Sequence, residues 1–212
     1  QVDAVTRKHL VIEAMRRMQR DRAVYLGDPA FVSMPVKMLT DPDYAAGMRT
    51  SIRLDRATPS ASLASAPEAH SGGGNTTHFS ILDKDGNRVA GTITLNAGFG
   101  SGLMVDGTGM LLNNQMDDFS IKPGVPNIYG LIGASANAIA PGKRMLSSIT
   151  PSFVEGPRGY MIVGSPGGSL ITGMVLLATL DWMDGKTAQQ IVAAPRIHHQ
   201  YQPDVLTYEA AA

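Results

Sequence analysis

Cysteine is absent from the 212 residues, which removes disulfides, thiolate nucleophiles and Cys-ligated zinc from consideration. The redox compartment stays open, because cytosolic and exported proteins alike can lack the residue. An excess of one charge sign is missing too. The 18 basic and 18 acidic side chains cancel, so no global field draws the chain to nucleic acid or to an anionic membrane. No apolar run reaches the roughly 18 to 20 residues of a bilayer span. The opening Gln1-Val2-Asp3-Ala4 has neither a basic n-region nor an apolar h-region, and no initiating Met, as expected of a fragment's edge or a processed end. What is present is a 43% hydrophobic composition, enough to bury the core of one large domain or two small ones. The expectation is a soluble globular chain with no nucleic-acid partner and no membrane span.

The chain changes character near residue 70. Residues 8 to 26 intersperse Leu10, Val11, Ala14, Met15, Met18 and Val24 with Arg16, Arg17, Arg20 and Arg22, the three-to-four spacing of an amphipathic helix. Asp41, ahead of Pro42, predicts the cap of a brief second helix through Met48. Residues 57 to 75 collect Pro, Ser, Ala and Gly and end in Ser71-Gly72-Gly73-Gly74-Asn75, which reads as an exposed, mobile linker. Beyond it, Thr77 to Leu82 and Arg88 to Leu95 flank Asp83-Lys84-Asp85-Gly86-Asn87 and predict a hairpin. Alternation places Thr92, Thr94 and Asn96 on one side of its second strand and Val89, Gly91, Ile93 and Leu95 on the other. Further strands are expected at 109 to 113, 147 to 154, 160 to 164 and 205 to 209. An apolar helix is expected at 169 to 183, and a shorter one from the N-cap Thr187 to Ala194. Strands packed with helices define a layered α/β or α+β domain.

Most familiar catalytic patterns are missing. Gly164-Ser165-Pro166-Gly167-Gly168 has its glycines at the wrong offset for a nucleophile elbow, and no His-Glu-x-x-His or phosphate-loop pattern occurs. The adjacent His198 and His199 would point to opposite faces of a strand, which suits packing or hydrogen bonding better than metal ligation. Asp117 and Asp118 lack calcium-loop spacing and read as a solvated turn or a carboxylate site. The junction Asn75-Thr76-Thr77-His78 is more informative, since a pliable glycine run there meets the first core strand. It is either an ordinary strand start after a linker or a cleavage point. A cut would leave Thr76 with its hydroxyl beside a free amine of pKa near 8, which can serve as its base.

Five ordered motifs then coincide: Thr76-Thr77-His78-Phe79-Ser80; Thr94-Leu95-Asn96; Leu111-Leu112-Asn113-Asn114-Gln115-Met116-Asp117-Asp118-Phe119; Ser147-Ser148; and Gly164-Ser165-Pro166-Gly167-Gly168-Ser169. Together they resemble γ-glutamyltransferase, also called γ-glutamyl transpeptidase. The resemblance implies an α+β fold, the αββα sandwich of N-terminal-nucleophile hydrolases, here incomplete. Residues 1–75 resemble the end of the large subunit with its linker, and 76–212 a small-subunit catalytic core truncated at its C-terminus.

By that resemblance Asn75-Thr76 is the autocleavage bond, Thr76 the nucleophile and Thr94 its hydroxyl partner. Asn96, Gln115 and Asp118 would hold the substrate α-amino group, Ser147 and Ser148 its α-carboxylate, and the N–H groups of Gly167 and Gly168 an oxyanion. The loop Pro123 to Ala134 with Tyr129 would be a lid. An acid at Asp118 suits an ammonium, and glycine permits close backbone approach at the oxyanion. No cofactor and no metal is implied. The implied donor is glutathione or a related γ-glutamyl amide, with water or an amino acid or peptide as acceptor, and the remaining large-subunit region is a partner. Location would be periplasmic or secreted, as in bacterial relatives. The family's upstream carboxylate-clamping arginine matches no residue here. A related cephalosporin or glutaryl acylase and a non-catalytic truncated relative stand as alternatives.

Overall fold

A computed structural model describes residues 2–63 and 76–210. In chain order the elements are α1 (Ala4–Tyr25), α2 (Val36–Leu39), α3 (Pro42–Thr50), β1 (Thr76–Leu82), β2 (Arg88–Thr94), β3 (Met104–Val105), β4 (Met110–Leu111), β5 (Ser152–Gly156), β6 (Gly159–Val163), α4 (Ile171–Met183), α5 (Ala188–Ala193), β7 (Ile197–His198) and β8 (Thr207–Tyr208). The strands form two-stranded sheets, β1–β2, β3–β4, β5–β6 and β7–β8, and the first three are antiparallel. Helices segregated from antiparallel hairpins make this an α+β arrangement. Most of the linker expected at 57 to 75 lies outside the described residues.

Two compact units interleave along the chain. The first takes Gln1–Ser71, Met116–Leu146 and His198–Thr207. Helix α1 begins where the Asp3 carboxylate accepts the N–H groups of Val5 and Thr6 at 2.9 and 3.0 Å, which satisfies donors a helix start leaves open. Asp41 caps α3 as its sequence predicts, accepting Asp43 N–H at 2.8 Å.

The buried side of α1 departs from the amphipathic expectation. Glu13, Arg16, Arg17 and Gln19 are buried with Met15, while Ala14 is exposed. Buried charge is tolerated when it is paired and hydrogen-bonded, and here it is. The Glu13 carboxylate accepts Arg17 Nη1 at 2.5 Å and Thr58 N–H at 2.9 Å. Arg16 donates to Ser60 Oγ at 2.6 Å and pairs with Asp204, which also accepts Ser60 N–H at 2.8 Å. Arg17 donates to Ser51 Oγ from Nε at 3.0 Å and Nη2 at 2.8 Å.

The second unit takes Gly72–Gln115, Ser147–Ile197 and Tyr208–Ala212. Its main hairpin matches the sequence expectation, with Thr76 opposite Thr94, His78 opposite Thr92 and Leu82 opposite Arg88. The Asp83 carboxylate organises the turn by accepting the N–H groups of Asp85 and Asn87 at 2.9 and 2.8 Å. Of the two faces of β2, the polar one is turned inward. Thr92 and Thr94 are half-buried and Asn96 is buried, whereas Val89 and Ile93 are 46% and 64% exposed.

The strand expected from 147 begins only at Ser152, and the one expected over 109 to 113 shrinks to Met110–Leu111. Leu112 N–H bonds the Leu103 carbonyl and its own carbonyl accepts Ser101 N–H, each at 2.9 Å, while Ile149 N–H bonds back to Ser147 Oγ at 3.1 Å. The short helices and strands α2, β3 and β7 were not anticipated, since two to four residues carry too little periodicity to read. Helix α4 is mostly apolar, and α5 starts in a capping box, Thr187 Oγ1 accepting Gln190 N–H at 3.3 Å while Gln190 Oε1 accepts Thr187 N–H at 2.9 Å.

Candidate active site

The start of β1 and the end of β2 meet through side chains. Thr76 Oγ1 lies 3.2 Å from Thr94 Oγ1 in a hydrogen bond, because the antiparallel register sets the two residues directly opposite with their hydroxyls on the inward face. Thr94 Oγ1 also accepts the N–H of Asn96 at 2.9 Å. That bond holds Asn96 in the left-handed region, with φ of 76°, which asparagine tolerates better than most residues. The Asn96 amide donates to the Asn114 carbonyl at 3.2 Å, and the Asn114 side chain accepts Ala97 N–H at 2.9 Å. The stretch Asn113 to Gln115 is thereby sewn to the strand end, and Asn113 Oδ1 accepts Gln115 N–H at 2.9 Å. Thr76, Thr94, Asn96 and Gln115 thus form one local cluster, and Asn114, which the sequence did not single out, is its tie.

The glycine-rich run approaches the same hairpin. Gly167 and Gly168 have φ of 130° and 57°, conformations that L side chains resist, and Leu170 N–H bonds back to the Gly167 carbonyl at 3.1 Å. Gly164 is packed against the ring of His78 on β1, where an added Cβ would stand 2.6 Å from the ring Cγ. The imidazole bonds Thr92 Oγ1 through Nδ1 at 2.7 Å and Ser80 Oγ through Nε2 at 3.0 Å. Alternation along β1 already put His78 on the Thr76 side, the one signal that could have flagged it. Ser147 and Ser148 belong to this unit and lead into β5. Ser147 Oγ accepts Ile149 N–H at 3.1 Å, and the Ser148 carbonyl accepts Thr150 Oγ1 at 2.8 Å.

Asp118 and Tyr129 belong to the first unit. Asp118 closes a short 3₁₀ turn from Gln115, and its carbonyl accepts Asn137 Nδ2 at 2.7 Å. Arg22 on α1 lies in its field. Burial pulls the Arg22 pKa down to about 10, and the negative charge of Asp118 opposes that fall. Tyr129 is buried and its phenol pKa is raised, first by burial and then by Asp118 and Asp117. The loop carrying Tyr129 is pinned at its tip, where Asn127 Oδ1 accepts the N–H groups of Tyr129 and Leu131, each at 3.0 Å. Gln200 Nε2 donates to the Tyr129 carbonyl at 3.0 Å. Asn75 lies outside the described residues.

His198 and His199 are buried in hydrogen bonds, as their sequence setting suggested. His198 Nε2 contacts Gln200 Oε1 at 3.1 Å, and His199 bonds Asp204 Oδ1 through Nε2 at 3.2 Å and Tyr201 N–H through Nδ1 at 3.1 Å. Asp117 accepts Ile128 N–H at 3.1 Å and so braces a loop. Among the described residues no group of three or more His, Asp or Glu is placed to hold a metal ion, and no helix is long and apolar enough to cross a membrane.

Paired threonine hydroxyls at a strand start, beside a left-handed asparagine, suit acyl transfer through a hydroxyl nucleophile. Comparison with solved structures gives the class. A point mutant of the Helicobacter pylori gamma-glutamyltranspeptidase matches with a TM-score of 0.61 and 49% identity, over 63% of this chain and 73% of that one. The fold is that of the N-terminal-nucleophile hydrolases, α+β.

The family model of gamma-glutamyltranspeptidase matches residues 1–212, and the chain belongs to that family. It is 50% identical over 206 residues to the glutathione hydrolase proenzyme of Pseudomonas sp. (strain A14), covering 96% of this chain and 36% of that protein. It is 46% identical over 202 residues to the glutathione hydrolase proenzyme of Escherichia coli (strain K12), covering 94% of this chain and 35% of that protein. The chain therefore spans about a third of the length of these curated relatives.

Proposed function

We propose that this chain supplies the nucleophile of an enzyme that transfers and hydrolyses γ-glutamyl groups, with glutathione or a related γ-glutamyl amide as donor. The observation that carries the reading is the hydroxyl pair Thr76–Thr94 at the first residue of β1, with Asn96 bonded to the same oxygen. In the uncut chain the Thr76 nitrogen is an amide and cannot act as a base. Cleavage at Asn75-Thr76 begins when Thr76 Oγ attacks the Asn75 carbonyl and the acyl group shifts from N to O. Water then hydrolyses that ester, leaving Asn75 with a carboxylate and Thr76 with a free amine.

The amine takes the hydroxyl proton as Oγ attacks the γ-carbonyl of the donor. The N–H groups of Gly167 and Gly168 stabilise the oxyanion, and the departing amine leaves with the proton. Water or the amine of an amino acid or peptide then attacks the threonyl ester and frees Thr76. Asp118, with the amide oxygens of Gln115 and Asn96, holds the donor α-ammonium, and Ser147 and Ser148 hold its α-carboxylate. Tyr129 belongs to the lid, and residues 1–75 and 76–212 become two polypeptides that stay together with the remaining large-subunit region. An acid at position 118 favours an aminated glutamyl donor over the acyl groups that a cephalosporin acylase accepts. The relatives' bacterial sources support a periplasmic or secreted location.

Parent and Thr76→Ala proteins, incubated and run on a denaturing gel, test the reading. Two bands in the parent alone, the smaller beginning at Thr76, with release of anilide from a γ-glutamyl anilide that glycylglycine accelerates, are the expected result. An uncut parent, or an active Thr76→Ala protein, overturns it.

A further inference from the structure

We propose that His78 is a positioning residue whose ring sets the spacing between the strand that carries Thr76 and the Gly164–Gly168 turn. The inference rests on the reading of Thr76 as nucleophile and of that turn as oxyanion site. Two residues after Thr76 on the same inward face, His78 sits opposite Thr92 just as Thr76 sits opposite Thr94. Both rungs are bridged between side chains, at 2.7 Å and 3.2 Å. Because the ring is bonded at both nitrogens, to Thr92 Oγ1 and to Ser80 Oγ, it cannot turn without losing a partner.

Its remaining surface faces Gly164. Unlike Gly167 and Gly168, Gly164 has no positive φ, so the absence of a side chain there serves space and not backbone freedom. A Cβ at this position would overlap the imidazole, standing 2.6 Å from Cγ and closer still to Nδ1 and Cε1. Ring and glycine are therefore in direct contact, and the turn starts from a stop fixed to β1. Burial lowers the His78 pKa, which keeps the ring neutral near pH 7, where hydroxyl partners satisfy either tautomer.

The chemistry requires such a stop. Oxyanion donors act only within about 3 Å of the oxygen that gains charge, and a displacement of about 1 Å can cost roughly 100-fold in rate. The spacing matters in the transition state more than in donor binding, so its loss falls on kcat and not on KM.

The test uses the full-length protein. His78→Asn keeps an amide near the Nδ1 position to bond Thr92 but leaves the space over Gly164 empty. It is expected to process normally and to lose about 10- to 100-fold in kcat, with KM for a γ-glutamyl anilide within about threefold of the parent. Gly164→Ala alone loses at least as much, and combining it with His78→Asn restores kcat above that of Gly164→Ala, because the methyl fills the vacated space. Parental kcat in His78→Asn, or losses that simply multiply in the double variant, overturn the inference. Thr76→Ala serves as the control: if it stays active the underlying reading fails, whereas if it is dead and His78→Asn is fully active, only the role of His78 fails.

Discussion

Acid should loosen the first unit through one imidazole, His199. Its side chain is 2% exposed. Tyr201 N–H points at Nδ1, which must therefore carry a lone pair, and Nε2 then donates to Asp204. A second proton has to enter at Nδ1, against the Tyr201 N–H. Burial, followed by the positive charge of Arg16, lowers the pKa to about 4, although Asp204 pulls the other way. The unfolded chain binds this proton near pH 6.5 and the folded chain only near 4. The unfolded state therefore holds more protons between those values, and stability falls as the pH drops through that window, the loss being complete below about 4. From pH 7 to pH 5 the shift is worth about 2 kcal/mol. The partner Asp204 side chain is 44% exposed, and screening there trims the figure to between about 1 and 2 kcal/mol.

His199→Asn keeps an acceptor for Tyr201 N–H and removes the titration. Urea unfolding of parent and variant at pH 7 and pH 5 should show the parent losing about 1 to 2 kcal/mol more than the variant over that interval. His198, whose pKa is also lowered by burial, adds a loss of the same sign to both proteins and cancels in the comparison. Equal losses in the two proteins would refute the assignment of a buried neutral His199.

Other perturbations have equally definite outcomes. Glu13→Gln keeps the acceptor for Thr58 N–H but leaves Arg17 buried without its carboxylate, and Arg16 with Asp204 alone, and should cost about 3 kcal/mol in urea unfolding at pH 7. Gly27→Ala drives a methyl into the Ala136 carbonyl, 3.0 Å from its carbon, and should destabilise by about 1 to 3 kcal/mol. Thr187→Ala removes the α5 capping box at a cost of about 1 kcal/mol, measurable by the same assay. Asp118→Asn should raise KM for a γ-glutamyl donor roughly 10- to 100-fold, the worth of a hydrogen bond to a charged group, and leave a substrate without an α-amino group little affected.

Much of the local architecture was legible in order along the chain. The β1–β2 hairpin with its Asp-Gly turn, the Asp41 and Thr187 caps and the apolar α4 all rest on interactions within a few residues, where spacing and turn chemistry suffice. The threonine pair was named through the family resemblance, and the register that sets Thr76 opposite Thr94 is that of the same short-turned hairpin. Gly167 and Gly168 could be marked as a special turn because glycine is the residue that accepts positive φ. Of the family motifs, Thr76 to Ser80 and Thr94 to Asn96 lie in or at the end of that hairpin, whereas Leu111 to Phe119 and Ser147-Ser148 fall mostly where the expected strands did not form.

Tertiary structure decided what is buried, and there the local pattern misled. Arg16 and Arg17 occupy helix positions that spacing assigns to solvent, yet they are inside because Asp204, 188 residues from Arg16, and Glu13 supply compensating charge. The hairpin turns its hydroxyls inward and leaves Val89 and Ile93 exposed, an inversion that alternation cannot reveal, since period two separates the faces without ranking them. His78 and Gly164 sit 86 positions apart in the chain and meet only once β1 and the glycine turn are folded. The sequence by itself determined the main hairpin, the helix caps and the longer helices, because those interactions are short-range. Only the fold determined which charges and rings found partners, because desolvation depends on neighbours brought from far along the chain.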